Sequence, residues 1–309
     1  MGQPRPLAEP LGLGPGDHAA WTLEGGEYAA AVTSYFTEGV ARGERLVLVN
    51  GHGEGCLDLL GDLPERDRLL EHGQLVLPPP EETYGRLLDH DIWQQVEHVE
   101  RLAALALDAG YAGLRVWADI TPLTQDPQTL QRYLDYDVAI EAAFTHCPVT
   151  GLCALEASRP QPQWTRLASR HRLRRETLDS PPMAVSMYNS EARLVGEVDL
   201  SCHDELVDAL SSVARATRGR LTMDLAELEF LDVGGARVLA RFVAELADVG
   251  RPVDLVGAGR LTARLLTLFG VPTAPVAGAP ADEPADLSSG LLSGGDGSGP
   301  AAPAEEPAP

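Results

Sequence analysis

The chain has 309 residues, 44% of them hydrophobic, which is room for about two domains with real cores. Its formal net charge of -22 and pI near 4.6 exclude the basic surface that nucleic acid or an anionic membrane needs in a partner. All 24 basic residues are arginine, so Schiff-base lysine chemistry and the phosphate-binding lysine of a P-loop are both excluded.

Cys56, Cys147, Cys153 and Cys202 lack the paired short spacings of a zinc site, and no secretory context marks them as a disulfide framework. Neither a signal-peptide segment in residues 1–10 nor an apolar run of the roughly 20 residues that span a bilayer is present. A cytoplasmic protein with reduced thiols, no metal and no cofactor is the expectation.

Residues 1–15 are rich in Pro and Gly and read as a flexible N-terminus. Gly12-x-Gly14-x-Gly16 neither follows a strand nor opens a helix, which argues against a phosphate cradle. Helical spacing of Tyr28, Val32, Tyr35, Phe36 and Val40 ends at Gly43, and a buried strand is expected over residues 45–50. Strands at 75–77, 114–118 and 152–155 then alternate with helices at 92–109 and after Asp126-Pro127, a pattern that predicts a mostly parallel sheet covered on both faces.

Ligands of such sheets sit beyond the carboxyl ends of the strands, which draws attention to Asn50, Gly51, His52, Asp119, Thr121 and Glu156. The glycine-rich run 50–55 lacks the Gly-Lys-Ser/Thr of a P-loop and reads as a turn. His18, Trp21 and Asp119 are candidates to line a small-molecule pocket, with core packing the competing role. Asp89, His90 and Asp91 read as a solvated helix start, since adjacent residues rarely converge on one ion. Arg166, Arg170, Arg172, Arg174 and Arg175 are either a complement to the acidic remainder or a dock for an acidic partner.

Several segments resemble the MEDS sensory domain: Gly16-Asp17-His18-Ala19-Ala20-Trp21, Glu38-Gly39-Val40-Ala41-Arg42-Gly43-Glu44-Arg45, Gly113-Leu114-Arg115-Val116-Trp117-Ala118-Asp119, Gly151-Leu152-Cys153-Ala154-Leu155, and His171 in a late helix. The resemblance implies a RecA-like three-layer α/β domain without its P-loop over residues 16–177, sensing a small molecule. Asp179-Ser180-Pro181-Pro182 lies in a linker, residues 178–182.

The second domain, residues 183–276, opens with two strands joined near Asn189-Ser190, followed by a helix whose capping-box-like start is Ser201 and Asp204. Its pivot is the stretch 225–246, a buried strand that turns sharply into an amphipathic helix carrying Val238, Leu239, Phe242, Val243 and Leu246 on one face. Asp232 is the expected N-cap, and Gly234 and Gly235 keep the first turn sterically bare, ready for an anion or a partner's backbone unless it is an ordinary capped helix end.

Gly196-Glu197-Val198-Asp199, Met223-Asp224-Leu225, Phe230-Leu231-Asp232, Gly250 and the run from Leu265 to Val271 resemble, in order and spacing, the STAS domain, an α/β fold with a mixed sheet. The antagonist branch of that family implies binding to an anti-sigma factor, a serine kinase of histidine-kinase-like ATPase fold, within a partner-switching circuit. The resemblance puts the contact at Asp232, Val233, Gly234 and Gly235, with Asp199 and Ser201 nearby. Val233 stands where the family's phosphoacceptor serine would be, and valine has no hydroxyl to esterify. The expected role is that of a regulator rather than an enzyme. The alternatives are a RecA-like ATPase and a sensor that uses its second domain only to dimerise. The tail, residues 277–309, is Pro, Gly, Ala and Ser with scattered acids and is expected to be disordered.

Overall fold

A computed structural model describes residues 4–24, 26–50, 56–85, 91–156, 162–188 and 191–274. Gly51, His52, the run to Gly55, Asp89, His90, the Asn189-Ser190 turn and the tail therefore lie outside the described residues.

Seven parallel strands build the first sheet: β1 (Arg5–Leu7), β2 (His18–Leu23), β3 (Arg45–Val49), β4 (Leu75–Val76), β5 (Leu114–Asp119), β6 (Val149–Glu156) and β7 (Leu173–Arg175), in the order β1-β7-β2-β6-β5-β3-β4. Every residue of β2 is buried, as a strand covered on both faces must be. One expectation is corrected here. Within residues 1–15, Arg5–Leu7 is an ordered edge strand in register with Leu173–Arg175.

Helix α1 (Tyr28–Ala41) covers one face of the sheet. On the other lie α4 (Ile92–Asp108) and α5 (Pro127–His146), α2 (Cys56–Leu59) and α3 (Arg66–Glu71) being short turns between β3 and β4. Asp126 caps α5 by accepting from Thr129 N at 2.8 Å, with Pro127 at the first helical position. Helix α6 (Pro162–Ala168) follows β6, and His171 lies just past its end rather than within a helix.

A second, mixed sheet holds β8 (Met183–Tyr188), β9 (Glu191–Val198), β10 (Leu221–Asp224), β11 (Leu228–Leu231), β12 (Val253–Val256) and β13 (Thr273–Ala274). Its order is β11-β9-β10-β12-β13, and β8 pairs antiparallel with β9. The helices of this part are α7 (His203–Ala216), α8 (Val233–Asp248) and α9 (Arg260–Leu268). Ser201 does not cap α7. Asp199 instead caps a short 3-10 turn, Leu200–Cys202, by accepting from Ser201 N at 2.9 Å.

No break in the core marks the passage between the two sheets. Buried Val138, Ala139 and Ile140 of α5 belong to one apolar cluster with Met183 and Met187 of β8 and Leu206 and Leu210 of α7. Arg166, Arg170 and Arg172 of the arginine-rich stretch spend their charge on this junction, whereas Arg175 pairs with Glu27 of the first domain. Arg166 Nε donates to Asp208 at 2.8 Å, and Arg170 Nη2 reaches Asp208 Oδ2 at 3.0 Å and Ser212 Oγ at 2.8 Å. Arg172 pairs with Glu227 at 3.0 Å, and buried Arg174 donates to the carbonyls of Ala168 and Met183.

Candidate functional site

Two places hold the residues that the sequence singles out. The first lies inside the N-terminal domain, on the face of the sheet covered by α5. Strand alternation turns His18 of β2 and Cys153 of β6 toward this helix, which supplies Tyr133, Asp137 and Glu141. His171 arrives from the segment after α6. The His18 ring stacks on Phe144 with centroids 4.5 Å apart.

Three hydrogen bonds in this cluster have a direction set by the chemistry of their partners. His18 Nδ1 donates to Glu141 Oε1 at 2.7 Å, because a carboxylate accepts. His171 Nδ1 donates to the Leu167 carbonyl at 3.0 Å. The Tyr133 hydroxyl donates to Cys153 Sγ at 2.9 Å. These bonds leave the His18 and His171 Nε2 atoms facing each other at 3.3 Å.

Burial dominates the electrostatics. It pushes His171 down to about 4, against the opposing pull of Asp137. Burial would lower His18 too, yet Cys153 and Glu141 together hold it well above the ordinary 6.5. The Glu141 carboxyl and Cys153 thiol are both raised by burial, with His18 opposing.

Beside the cluster is a cavity of about 70 Å³ lined by His18, Tyr133, Asp137, Phe144 and Cys153. A larger one, about 250 Å³, lies between the sheet and helices α4 and α5, with mostly apolar walls that include Val47, Val99, Leu102, Val116, Tyr133 and Tyr136. Val99, Val116, Ala118, Tyr133 and Tyr136 border both cavities.

The candidate trio His18, Trp21 and Asp119 does not share a pocket, which corrects the expectation. Trp21 alternates to the opposite face of β2 from His18, into the core with Tyr28, Tyr35 and Trp117, where the Arg175 guanidinium lies 5.3 Å from its ring. Asp119, buried at the end of β5, accepts from Thr121 N at 3.0 Å, and Thr121 Oγ1 accepts from Glu156 N at 2.9 Å. The residues beyond these strand ends thus knit β5 to β6. Sequence reasoning missed Asp137, Glu141 and Tyr133. Their one visible signal is the spacing within α5, where Tyr133, Asp137 and Glu141 recur every four residues and so lie on one helical face.

The second place is the tip of α8. Asp232 Oδ1 accepts from Gly235 N at 2.6 Å and from His203 Nε2 at 2.8 Å, so one carboxylate oxygen caps the helix and holds a side chain of α7. An added Cβ would force a neighbour to shift at both following positions. A Cβ on Gly234 would fall 2.1 Å from the His203 ring, and one on Gly235 would fall 2.4 Å from Val198. Val233 points outward and is 55% exposed. Pairing of Leu231 with Val198 brings the Asp199–Ser201 turn beside this tip, together with exposed Leu200. The structure thus brings Asp199, Ser201, Asp232, Val233, Gly234 and Gly235 to one end of the second sheet.

The parallel sheet with buried polar residues on one face, followed by the mixed sheet with a capped helix tip, makes two α/β domains in sequence. Comparison with known families agrees in order and extent: residues 17–180 match the MEDS model, described as MEthanogen/methylotroph, DcmR Sensory domain, and residues 189–276 match the model described as Mlab, STAS domain. The first match covers more than half of the chain, which belongs to the MEDS family. No curated protein matches the chain. Both families are regulatory or sensory domains, and no helix among the described residues is long and apolar enough to cross a membrane.

Proposed function

We propose that the chain is an anti-sigma factor antagonist-like regulator in a partner-switching circuit, cytoplasmic, with residues 16–177 as the sensing part and residues 183–276 as the output. The observation that carries the reading is the outward-facing Val233 at an acid-capped helix start, beside exposed Leu200. A phosphate at that point would be favoured by the helix dipole while placing nearly two negative charges in the docking surface, and valine cannot carry one. The tip is therefore permanently in its binding form with respect to phosphorylation, and control passes to the sensing domain. The apolar cavity of about 250 Å³ supports that assignment, falling just below the roughly 300–1,000 Å³ of drug-sized ligand pockets and so suiting a smaller organic molecule.

The test uses the full chain with an anti-sigma kinase and labelled ATP. Wild type should bind the kinase and take no label, Val233→Ser should become labelled, and Val233→Asp should bind at least tenfold more weakly. Binding that is indifferent to Val233→Asp, or label on the wild type, would remove the reading.

A further inference from the structure

We propose that His18, Asp137, Cys153 and His171 form a binding site for a single tetrahedral transition-metal ion of the zinc type. This goes beyond the partner-switching reading and does not depend on it. One nitrogen, oxygen or sulfur atom from each of the four lies within 4.8 Å of the other three, and all four residues are buried.

Four of the six donor spacings are close to those of a filled site. Bond lengths of about 2.0–2.3 Å place neighbouring ligand atoms about 3.3–3.6 Å apart on a tetrahedron. Here His18 Nε2 lies 3.3 Å from His171 Nε2, 3.1 Å from Cys153 Sγ and 3.6 Å from Asp137 Oδ1, and Sγ is 3.5 Å from Oδ1. Two imidazoles, a thiolate and a carboxylate form a donor set suited to zinc and too soft for magnesium or calcium.

The surroundings hold the donors as metal ligands are held. Both histidines have Nδ1 tied to an outer acceptor, Glu141 for His18 and the Leu167 carbonyl for His171, which fixes the tautomer and turns each Nε2 inward. Two facing nitrogens with lone pairs repel unless a cation or proton lies between them. Asp137 turns Oδ1 toward His18 and Cys153, while its buried Oδ2 has no hydrogen bond among the described residues and lies 3.6 Å from His171 Nδ1. A polar cleft of about 270 Å³, lined by Gly16, Asp17, His18, Glu141, Arg172 and Ser186, reaches the outer side of His18.

The full chain, purified without an affinity tag of histidines, is stripped with chelator and titrated with Zn2+ and with Co2+. One ion per chain is expected. The cobalt form should show intense tetrahedral visible bands and a thiolate-to-metal charge-transfer band, both retained in the Cys56→Ser/Cys147→Ser/Cys202→Ser triple variant, which leaves Cys153 as the one thiol. His171→Ala and Cys153→Ser should reduce stoichiometry below a tenth. Glu141→Gln, an outer partner, should weaken affinity about tenfold to a hundredfold while the bands persist. If the inner variants fail to fold, the spectrum of the triple variant still decides. A folded chain that takes up no ion, or one whose cobalt spectrum lacks the thiolate band, overturns the proposal.

Discussion

Arg170 Nη2 meets Asp208 Oδ2 at 3.0 Å, joining the end of the sensory domain to the first long helix of the STAS domain. The arginine side chain is 1% exposed and the aspartate 23%, so this ion pair is largely removed from solvent. Arg166 shares the same carboxylate, and Arg215 of α7 returns the contact by gripping Asp135 of α5 at 2.6 and 2.9 Å. A residue run that could serve an external acidic partner is thereby engaged inside the molecule.

Removing one member of a buried pair is costlier than never having built it, because the other charge stays behind. Asp208→Asn should therefore destabilise the chain by about 3 kcal/mol, read as a lowered midpoint in urea. A matched hydrophobic replacement of both partners should cost much less. Equal losses from the two variants would refute the account.

The same carboxylate gives a pH signature. Burial raises Asp208, but hydrogen bonding to Arg166 and the charges of Arg166 and Arg170 outweigh it, leaving the group below 3.8. Its contribution is thus complete above pH 3.8 and is lost as acidity takes the solution down through the lowered folded value. Wild type minus Asp208→Asn stability should be flat near neutrality and shrink in that acid window. A difference that grew with acid would contradict it.

Gly39 explains why two of the MEDS-like motifs occur together. A Cβ there would lie 2.6 Å from Arg115 Cδ and 2.6 Å from Leu46 Cδ2, and Arg115 is wholly buried against Glu44. Gly39→Ala should cost about 1–3 kcal/mol by overpacking, measured by denaturant titration. An unchanged midpoint would show that the arginine has room to retreat.

Gly234 poses the same steric question at the STAS tip. Gly234→Ala should drive the His203 ring away from Asp232 and lose a bond worth about 1 kcal/mol. Adding His203→Ala to Gly234→Ala should then cost almost nothing more, and a double-mutant cycle that came out additive would deny the contact.

Long periodic elements were legible in the sequence. Strands β3, β5 and β6, helices α4, α5 and α8, and the Asp126 and Asp232 caps stand where spacing and turn chemistry place them. Strand β2 was not legible, because six residues containing His18 and Thr22 look neither continuous nor alternating, although both side chains are buried. Missing that strand also hid the alternation that sends His18 and Trp21 to opposite faces. The cluster around His18 was harder still. Cys153 and His171 come from elements more than a hundred residues further along, and only the parallel pairing of β2 with β6 sets Cys153 against it.

The apolar cluster that crosses from α5 into β8 and α7 bears on how such a chain is inherited. Cutting within residues 178–182 would bare Met183 and Met187 on one fragment and Val138, Ala139 and Ile140 on the other, surfaces prone to sticking once wetted. The MEDS and STAS domains are modules in name but share one interior. Gene shuffling that exchanged either half would have to bring a matching face along with it.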